Sequence, residues 1–125
     1  MVFEMEKNVL GKQLEVCSCK PITGWFRDGF CKYDLNDIGN HSICCVMNIN
    51  FLNYSKSQGN DLMTPMPEYS FPGLKEGDHW CICLERWKEA KEDGLAPLLI
   101  LEATNIAVLD SVSLEELKKY QYIKN

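Results

Sequence analysis

No stretch of this sequence is long and apolar enough to span a membrane. The longest apolar run, residues 95–101, is interrupted by Pro97 and is far shorter than the ~20 residues that a spanning helix needs. The first seven residues include Glu4 and Glu6 and lack an apolar core, which is not the pattern of a secretory signal peptide. We therefore expect a cytoplasmic protein with no membrane partner.

Basic side chains are in the minority. The chain has 13 lysines and arginines against 18 aspartates and glutamates, a formal net charge of −5. A protein that binds nucleic acid needs a basic surface to neutralise the phosphate backbone. We therefore predict no nucleic-acid partner and are left with an unknown small molecule or a protein.

The common catalytic signatures are missing as well. The sequence contains no phosphate-binding loop, dinucleotide fingerprint, Gly-x-Ser-x-Gly elbow or His-Glu-x-x-His motif. It also has only two histidines, His41 and His79. These absences argue against the usual nucleotide-dependent enzymes and hydrolases, and they leave open whether the protein is an enzyme.

What the chain does contain is the composition of one ordinary domain. Of its 125 residues, 46% are hydrophobic and 25% are charged, as in most globular proteins. A chain of this length buries roughly 65–70% of its unfolded surface. We therefore predict a flexible N-terminus over residues 1–7 and a single globular domain over residues 8–121.

Hydrophobic patterning predicts both strands and helices. The runs 42–47, 79–84 and 97–102 are apolar on both faces, as in interior strands. Residues 13–17 alternate like a further strand, and the Asp-Gly pair at 28–29 suggests a hairpin. Helices are predicted after Asn48 or Asn50, over 85–93, and after the capping box of Ser113 and Glu116.

These elements predict an α+β (α/β-like) fold. Residues 80–84, 85–93 and 98–102 would form one β-α-β unit in a small mixed sheet with about three helices. Residues 62–72 hold three of the five prolines, so we expect an ordered, extended loop there. Long ordered loops are often functional.

The seven cysteines are an odd number for a disulfide framework. Because we expect a cytoplasmic protein, we predict that they are reduced and form no disulfide framework. They then act as small buried hydrophobic side chains, metal ligands or a reactive thiol. The seven are Cys17, Cys19, Cys31, Cys44, Cys45, Cys81 and Cys83.

Zinc is the metal that these cysteines would suit. Residues two apart on a strand share a face, so Cys81 with Cys83 and Cys17 with Cys19 are two potential ligand pairs. Tetrahedral zinc sites usually use Cys-x-x-Cys turns, which this sequence lacks. Burial in the core is therefore the favoured interpretation, no cofactor is predicted, and zinc stays an alternative.

A cysteine nucleophile is the other alternative. It needs a cation or a helix N-terminus to stabilise the thiolate. Cys83 lies just before a predicted helix and near Arg86, and Cys31 follows the turn at 27–29. His41 or His79 would act as the base.

One acidic residue occupies a position typical of an α/β site. Glu102 ends an otherwise apolar predicted strand, and α/β sites are built at such strand ends. The competing interpretation is a carboxylate exposed at the edge of the sheet.

The order of several motifs resembles a known family. They are NVLG at 8–11, PITGWFRDG at 21–29, SKSQGNDL at 55–62, FPGLK at 71–75, GDHWCIC at 77–83 and LEAT at 101–104. Over roughly residues 8–120 the chain resembles an uncharacterised, mainly bacterial family catalogued as domain of unknown function 2237. The resemblance implies no particular activity.

The resemblance does bear on the candidate residues. It implies that Cys19 and Cys45 depart from the family pattern, that arginine usually stands at His79, and that histidine often stands at Asn105. Any role for His79 is thereby put in doubt. The resemblance implies that the cysteines that fit the pattern are Cys17, Cys31, Cys44, Cys81 and Cys83. The set of site candidates that it implies is Arg27, Asp28, Cys31, His41, Cys44, Asn60, Asp61, Cys81, Cys83 and Glu102.

We predict a small binding or interaction domain without catalysis of its own. Its binding candidates are Asn60, Asp61 and Glu102. The alternative is a cysteine/histidine enzyme or metal site, with Arg27, Asp28, Cys31, His41 and Cys44 as its residues, Cys31, His41, Asp28 and Arg27 as catalytic candidates, and Cys31, His41, Cys44, Cys81 and Cys83 as metal candidates.

Overall fold

The computed structural model describes residues 6–123. Its strands and α-helices are, in order, β1 (Ile43–Val46), α1 (Ile49–Ser57), β2 (His79–Ile82), α2 (Leu84–Glu92) and α3 (Leu114–Lys118), with 3-10 helices at Pro67–Tyr69, Leu101–Ala103 and Ile106–Asp110. The predicted α+β class is confirmed. No helix in this part of the chain is long and apolar enough to cross a membrane.

The predicted flexible N-terminus falls largely on residues 1–5, which lie outside the described residues. Glu6 and Lys7 belong to the described part and are hydrogen-bonded. The Glu6 carbonyl accepts from the backbone of Leu14 at 2.9 Å, and Lys7 forms a bridge with Gln13. The flexibility of the first five residues stays a prediction.

Strand β1 forms a two-stranded sheet with β2 and is also bridged on its other edge. It pairs antiparallel with β2 in a register that sets Cys44 opposite Cys81. On its other edge, Cys45 forms an antiparallel bridge with Leu99, which in turn bridges to Gln121. Because both edges of β1 are paired, its continuous apolar sequence suits an interior position.

The prediction of a third strand over residues 97–102 is wrong, because this segment forms only an isolated bridge at Leu99. The Ile100 amide donates to the Cys44 carbonyl, but the Ile100 carbonyl accepts from the Ala103 amide and the Thr104 hydroxyl. This turn ends the ladder and starts the 3-10 helix. Since β2 and the segment at Leu99 are both antiparallel to β1, they run in the same direction with β1 between them.

Two strand predictions in the first thirty residues are wrong. Residues 13–17 form a single bridge at Gln13 and otherwise no regular strand, and no hairpin strands flank Gly29. Instead, the Gly29 carbonyl accepts from the Cys17 amide and the Gly29 amide donates to Thr23. Gly24 closes this loop with φ +101, where a Cβ would lie 2.2 Å from the Phe30 carbonyl oxygen.

The helix N-termini follow the sequence signals. The Asn48 side chain accepts from the Phe51 amide at 2.7 Å, and the Ser113 hydroxyl accepts from the Glu116 amide at 3.2 Å. Each cap satisfies an amide that has no partner within the helix and contributes about 1 kcal/mol. These local interactions fix where α1 and α3 begin.

The two faces of the sheet support two separate cores. Ile43, Cys45, Trp80 and Ile82 belong to the main core, which also holds the fully buried Trp87. Cys44 and Cys81 alternate with them and enter a second cluster. Successive side chains of a strand point to opposite faces, so the cysteines of β1 and β2 are divided between the cores.

Candidate functional site

Four of the seven cysteines form two disulfides. Cys17 bonds to Cys44 with a Cα–Cα distance of 5.8 Å, and Cys31 bonds to Cys81 at 5.4 Å. The prediction of reduced cysteines is therefore wrong. The cause is tertiary: the loops that carry Cys17 and Cys31 cover one face of the sheet, where each meets a strand cysteine.

Two buried threonines complete the hydrogen bonds of the strand cysteines. The Cys81 amide donates to the Thr23 hydroxyl at 2.9 Å, and the Cys44 amide donates to the Thr104 hydroxyl at 3.2 Å. An unsatisfied buried amide costs about 1–3 kcal/mol. The threonines thus stabilise the backbone on which both disulfides depend.

The two disulfides lie side by side. The Sγ atoms of Cys17, Cys31 and Cys81 are within 4.8 Å of one another, and all three residues are buried. We call Cys17, Cys31, Cys44 and Cys81 the sulfur cluster. Among the described residues this group of sulfurs includes neither His41 nor Cys83, so the predicted cysteine and histidine candidates do not form one site.

Zinc binding is not compatible with the bonded state of these sulfurs. Zinc takes thiolate ligands, and the sulfurs of Cys17, Cys31, Cys44 and Cys81 are bonded to each other. A zinc site here therefore requires that both disulfides be reduced first. Zinc therefore stays an alternative for the reduced protein only, and no cofactor is predicted.

In each Cys-x-Cys pair, one cysteine is in a disulfide and the other is a free thiol. Cys17 and Cys81 are in disulfides, whereas Cys19 is an exposed thiol and Cys83 a half-buried one. Strand β2 ends at Ile82, and Cys83 is the N-cap residue of α2, so Cys81 and Cys83 do not share a strand face. The remaining thiol, Cys45, is fully buried, and this burial raises its pKa well above the usual value.

An open cleft lies beside the sulfur cluster, and Cys81 is among the residues that line it. It has a volume of about 330 Å³ and adjoins a second cavity of about 220 Å³. We call the two together the aromatic cleft. The first part is lined by Gly24, Trp25, Arg27, His41, Asn60, Asp61, Leu62, Met66, Tyr69, Phe71, Trp80 and Cys81, and the second adds Ile82, Cys83 and Arg86.

Arg27 is the cation of the aromatic cleft. Its guanidinium donates to the carbonyls of Gly24 at 2.7 Å and Tyr69 at 3.0 Å, and it lies 5.2 Å from the centroid of the Trp80 ring. Its Nε is buried without a partner, and burial lowers the pKa of Arg27 from its ordinary value. The residue has a φ of +53°, which is uncommon for a side chain with a Cβ.

His41 is oriented by a buried carboxylate. One oxygen of Asp37 lies 2.7 Å from His41 Nδ1, and the other accepts from the His41 amide at 2.8 Å. The ring stacks on Trp25 with 6.4 Å between centroids. Because a carboxylate oxygen accepts, Nδ1 donates to Asp37, and Nε2 is then the acceptor of the neutral ring. His41 is one of the residues that line the aromatic cleft.

Two of the three predicted binding residues, Asn60 and Asp61, line the aromatic cleft. The Asp61 carboxylate accepts from the amide of Met63 and from the amide and hydroxyl of Thr64. The bond from the Thr64 hydroxyl is the main reason that the pKa of Asp61 is lowered. Asp61 therefore orders the start of the proline-rich loop that forms one wall.

Two other candidates lie away from the aromatic cleft. Asp28 pairs with Lys32 at 2.8 Å and accepts from the Phe30 amide. The Glu102 backbone carbonyl accepts hydrogen bonds from Asn8 Nδ2 at 3.0 Å and from the Glu15 amide at 3.0 Å. Neither carboxylate is among the groups that line the cleft.

The comparison with known families agrees with the motif order. Residues 7–121 match domain of unknown function 2237, described as an uncharacterised protein conserved in bacteria. The chain belongs to this family. No curated protein matches the chain.

The division of the cysteines into bonded and free ones can be compared with the family pattern that the resemblance implied. All four disulfide cysteines are among those that the resemblance matched to the family pattern. The two that depart from it, Cys19 and Cys45, are free thiols in the structure. Loss of either from a relative would therefore leave both disulfides intact.

Sequence reasoning missed several side chains that build the cleft of this family member. Trp25, Trp80 and Asp37 were not among the candidates. The spacing of Asp37 and His41 by four residues is the one signal that points to their pairing. The aromatic residues had no such signal, because they come from segments that meet only in the folded chain.

Proposed function

We propose that the domain binds a small anionic molecule with a flat apolar group in the aromatic cleft. The observation that carries this proposal is the Arg27 guanidinium, which lines the cleft against the Trp80 ring. No carboxylate lies within ion-pair distance of Arg27 in the described residues 6–123, unlike Arg86, which pairs with Glu89.

The charge of Arg27 favours an anionic ligand. Its guanidinium stays protonated under all physiological conditions, and its burial has a desolvation cost that no ion pair offsets. Its two hydrogen bonds go to neutral carbonyls of Gly24 and Tyr69. A bound carboxylate, sulfonate or phosphate would supply the missing counter-charge.

The aromatic walls favour a flat apolar group on the same ligand. Trp25 stacks on His41, and Phe71 meets Trp80 edge to face with 5.2 Å between centroids. A volume of about 330 Å³ is at the lower end of the usual range for small-molecule sites. The cleft therefore suits a ligand of roughly the size of a substituted benzoate.

The test uses 4-methylbenzoate and its neutral analogue 4-methylbenzamide as probes in an NMR titration. We expect 4-methylbenzoate to shift the indole signals of Trp25 and Trp80, and Arg27→Gln to weaken this binding about tenfold. Lys12→Gln, an exposed charge change outside the cleft, is the matched control and should have no effect. Equal binding of both probes, or unchanged binding by Arg27→Gln, would contradict the proposal.

A second candidate function is thiol chemistry. Of the residues proposed for a cysteine/histidine enzyme, Arg27 and His41 line the cleft, whereas Asp28 and Cys44 do not. The observation in favour of this function is that Cys81, one half of a disulfide, lines the cleft together with His41, whose Nδ1 is paired with Asp37.

The remaining expectations about this protein stay predictions. They are a cytoplasmic location and no nucleic-acid or membrane partner. Location matters for the disulfides, because cytoplasmic disulfides are usually catalytic or redox-sensing, whereas those of oxidising compartments are usually structural. A cytoplasmic location would therefore favour the thiol chemistry.

A further inference from the structure

We propose that the Cys31–Cys81 disulfide exchanges with anionic thiols bound in the aromatic cleft, and that the sulfur cluster passes the exchange to Cys17–Cys44. This inference rests on the proposed function, because the thiol enters the cleft that binds the anion. It names the substrate class as a small thiol with a flat apolar group and a negative charge.

The geometry selects Cys81 as the sulfur that is attacked. Both cysteines are buried, Cys81 with 1% and Cys31 with 0% of its surface exposed, but Cys81 lines both parts of the aromatic cleft and Cys31 lines neither. Thiol–disulfide exchange depends on access to one sulfur of the bond. The mixed disulfide therefore forms on Cys81, and Cys31 is the leaving thiolate.

The chemistry balances with the substrate as reductant. A first thiolate attacks Cys81 Sγ, so that a substrate–Cys81 bond forms and the Cys31–Cys81 bond breaks. A second substrate thiolate attacks the mixed disulfide, releasing the substrate disulfide and the Cys81 thiolate. Two substrate thiols are oxidised by two electrons, and one protein disulfide becomes two thiols.

His41 is the group that can generate the attacking thiolate. Its Nδ1 faces the buried Asp37 carboxylate, and its Nε2 can accept the proton of a thiol in the cleft. A His–Asp pair of this kind is the usual way to activate a weak nucleophile. The substrate proton thus moves to Nε2 as sulfur attacks Cys81.

The neighbouring disulfide provides the second step. Cys17 Sγ lies within 4.8 Å of the sulfurs of both Cys31 and Cys81. The Cys31 thiolate attacks Cys17 Sγ, so that a Cys17–Cys31 bond forms, the Cys17–Cys44 bond breaks and the Cys44 thiolate leaves. This exchange involves no net oxidation, and it moves the reduced state to a cysteine that has no access to the cleft.

The test uses 4-(mercaptomethyl)benzoate and its neutral amide with the oxidised full-length protein under native conditions. Samples are acid-quenched at intervals, alkylated and mapped by mass spectrometry. We expect the substrate adduct on Cys81, loss of the Cys31–Cys81 bond first, and a Cys17–Cys31 peptide afterwards. The benzoate should react about tenfold faster than the amide, and Arg27→Gln should remove that preference.

Three variants separate the roles. In Cys31→Ala with Cys81→Ala, the Cys17–Cys44 bond should resist the thiol at least about tenfold longer, because it has no access of its own. His41→Gln should slow the reaction about a hundredfold at neutral pH. It should have little effect at a pH where the thiol is already ionised. Lys12→Gln is the control.

Two outcomes would overturn the inference. Either both disulfides open together at the rate of global unfolding, or the adduct forms on Cys31 or Cys44. Each would make the sulfur cluster a structural element. If 4-methylbenzoate binds but Cys81 does not react, the inference fails and the proposed function stands. If both thiols react equally at Cys81 and 4-methylbenzoate does not bind, the proposed function fails, and the anionic substrate class of this inference fails with it.

Discussion

Removal of the Cys31–Cys81 disulfide should strongly destabilise the domain. The bond closes a loop with a sequence separation of 50, for which the loss of chain entropy in the unfolded state corresponds to about 4 kcal/mol at 25 °C. A domain of this size has a free energy of unfolding of about 5–15 kcal/mol. The double variant Cys31→Ala with Cys81→Ala therefore loses a large part of its stability.

The measurement needs a control for the two lost sulfur atoms. Cys45 is fully buried and free, so Cys45→Ala removes a buried sulfur without breaking a bond and should cost about 1 kcal/mol. Subtracting this cost twice from that of the double variant isolates the disulfide. Either single variant, Cys31→Ala or Cys81→Ala, should cost nearly as much as both, because each breaks the same bond.

The assay is urea-induced unfolding followed by tryptophan fluorescence under non-oxidising conditions that leave the second disulfide intact. Along with the loss of about 4 kcal/mol, we expect the m value to rise, because the unfolded chain without the cross-link exposes more surface. If the variant does not fold, wild-type protein unfolded with and without a phosphine reductant gives the joint contribution of both disulfides, which should then exceed about 4 kcal/mol. A residual cost below about 1 kcal/mol would refute this account of the disulfide.

Three further predictions concern the core, the hydrogen bonds of the strands and a surface pair. Trp87→Ala should cost about 3–5 kcal/mol in thermal or urea unfolding, because the fully buried indole leaves a cavity; a cost below about 1 kcal/mol would contradict this packing. Thr23→Val should lower the free energy of unfolding by about 1–3 kcal/mol, because it leaves the Cys81 amide unpaired. An unchanged free energy of unfolding in urea would contradict a stabilising role for this hydrogen bond. The hydrogen bond to Asp93 raises the pKa of Tyr54 to about 12, so this contribution to stability is complete below about pH 10 and is lost as pH rises through about 12. An absorbance titration should show one tyrosine that ionises at about pH 12 in the wild type and is missing in Tyr54→Phe. A wild-type titration without this ionisation would contradict the hydrogen bond between Tyr54 and Asp93.

The elements that the sequence predicted well are those with local causes. The apolar run at 42–47 became β1, and the run at 79–84 became β2. The cap at Asn48 and the capping box at Ser113 set the starts of α1 and α3. Each signal lies within a few residues of the element that it controls, so propensity and hydrogen bonding within the segment are sufficient.

The candidate site was predicted in part. Arg27, His41, Asn60 and Asp61 were named from the sequence, and the fold gathers them around one cleft. Glu102 was expected at a strand end, but residues 97–102 form only a bridge at Leu99. The chain then turns, because the Ala103 amide and the Thr104 hydroxyl donate to the Ile100 carbonyl. The aromatic walls depend on contacts between segments far apart in the chain, and no local pattern encodes them.

The sequence by itself determined the class of the domain, its family and the start points of its helices. Only the tertiary structure decided the state of the cysteines. Whether a cysteine is bonded depends on which other sulfur lies within reach. The two cysteines of Cys17–Cys44 are 27 residues apart in the sequence, and those of Cys31–Cys81 are 50 residues apart. The register of β1 on β2 and the loops that cover their shared face bring these pairs together.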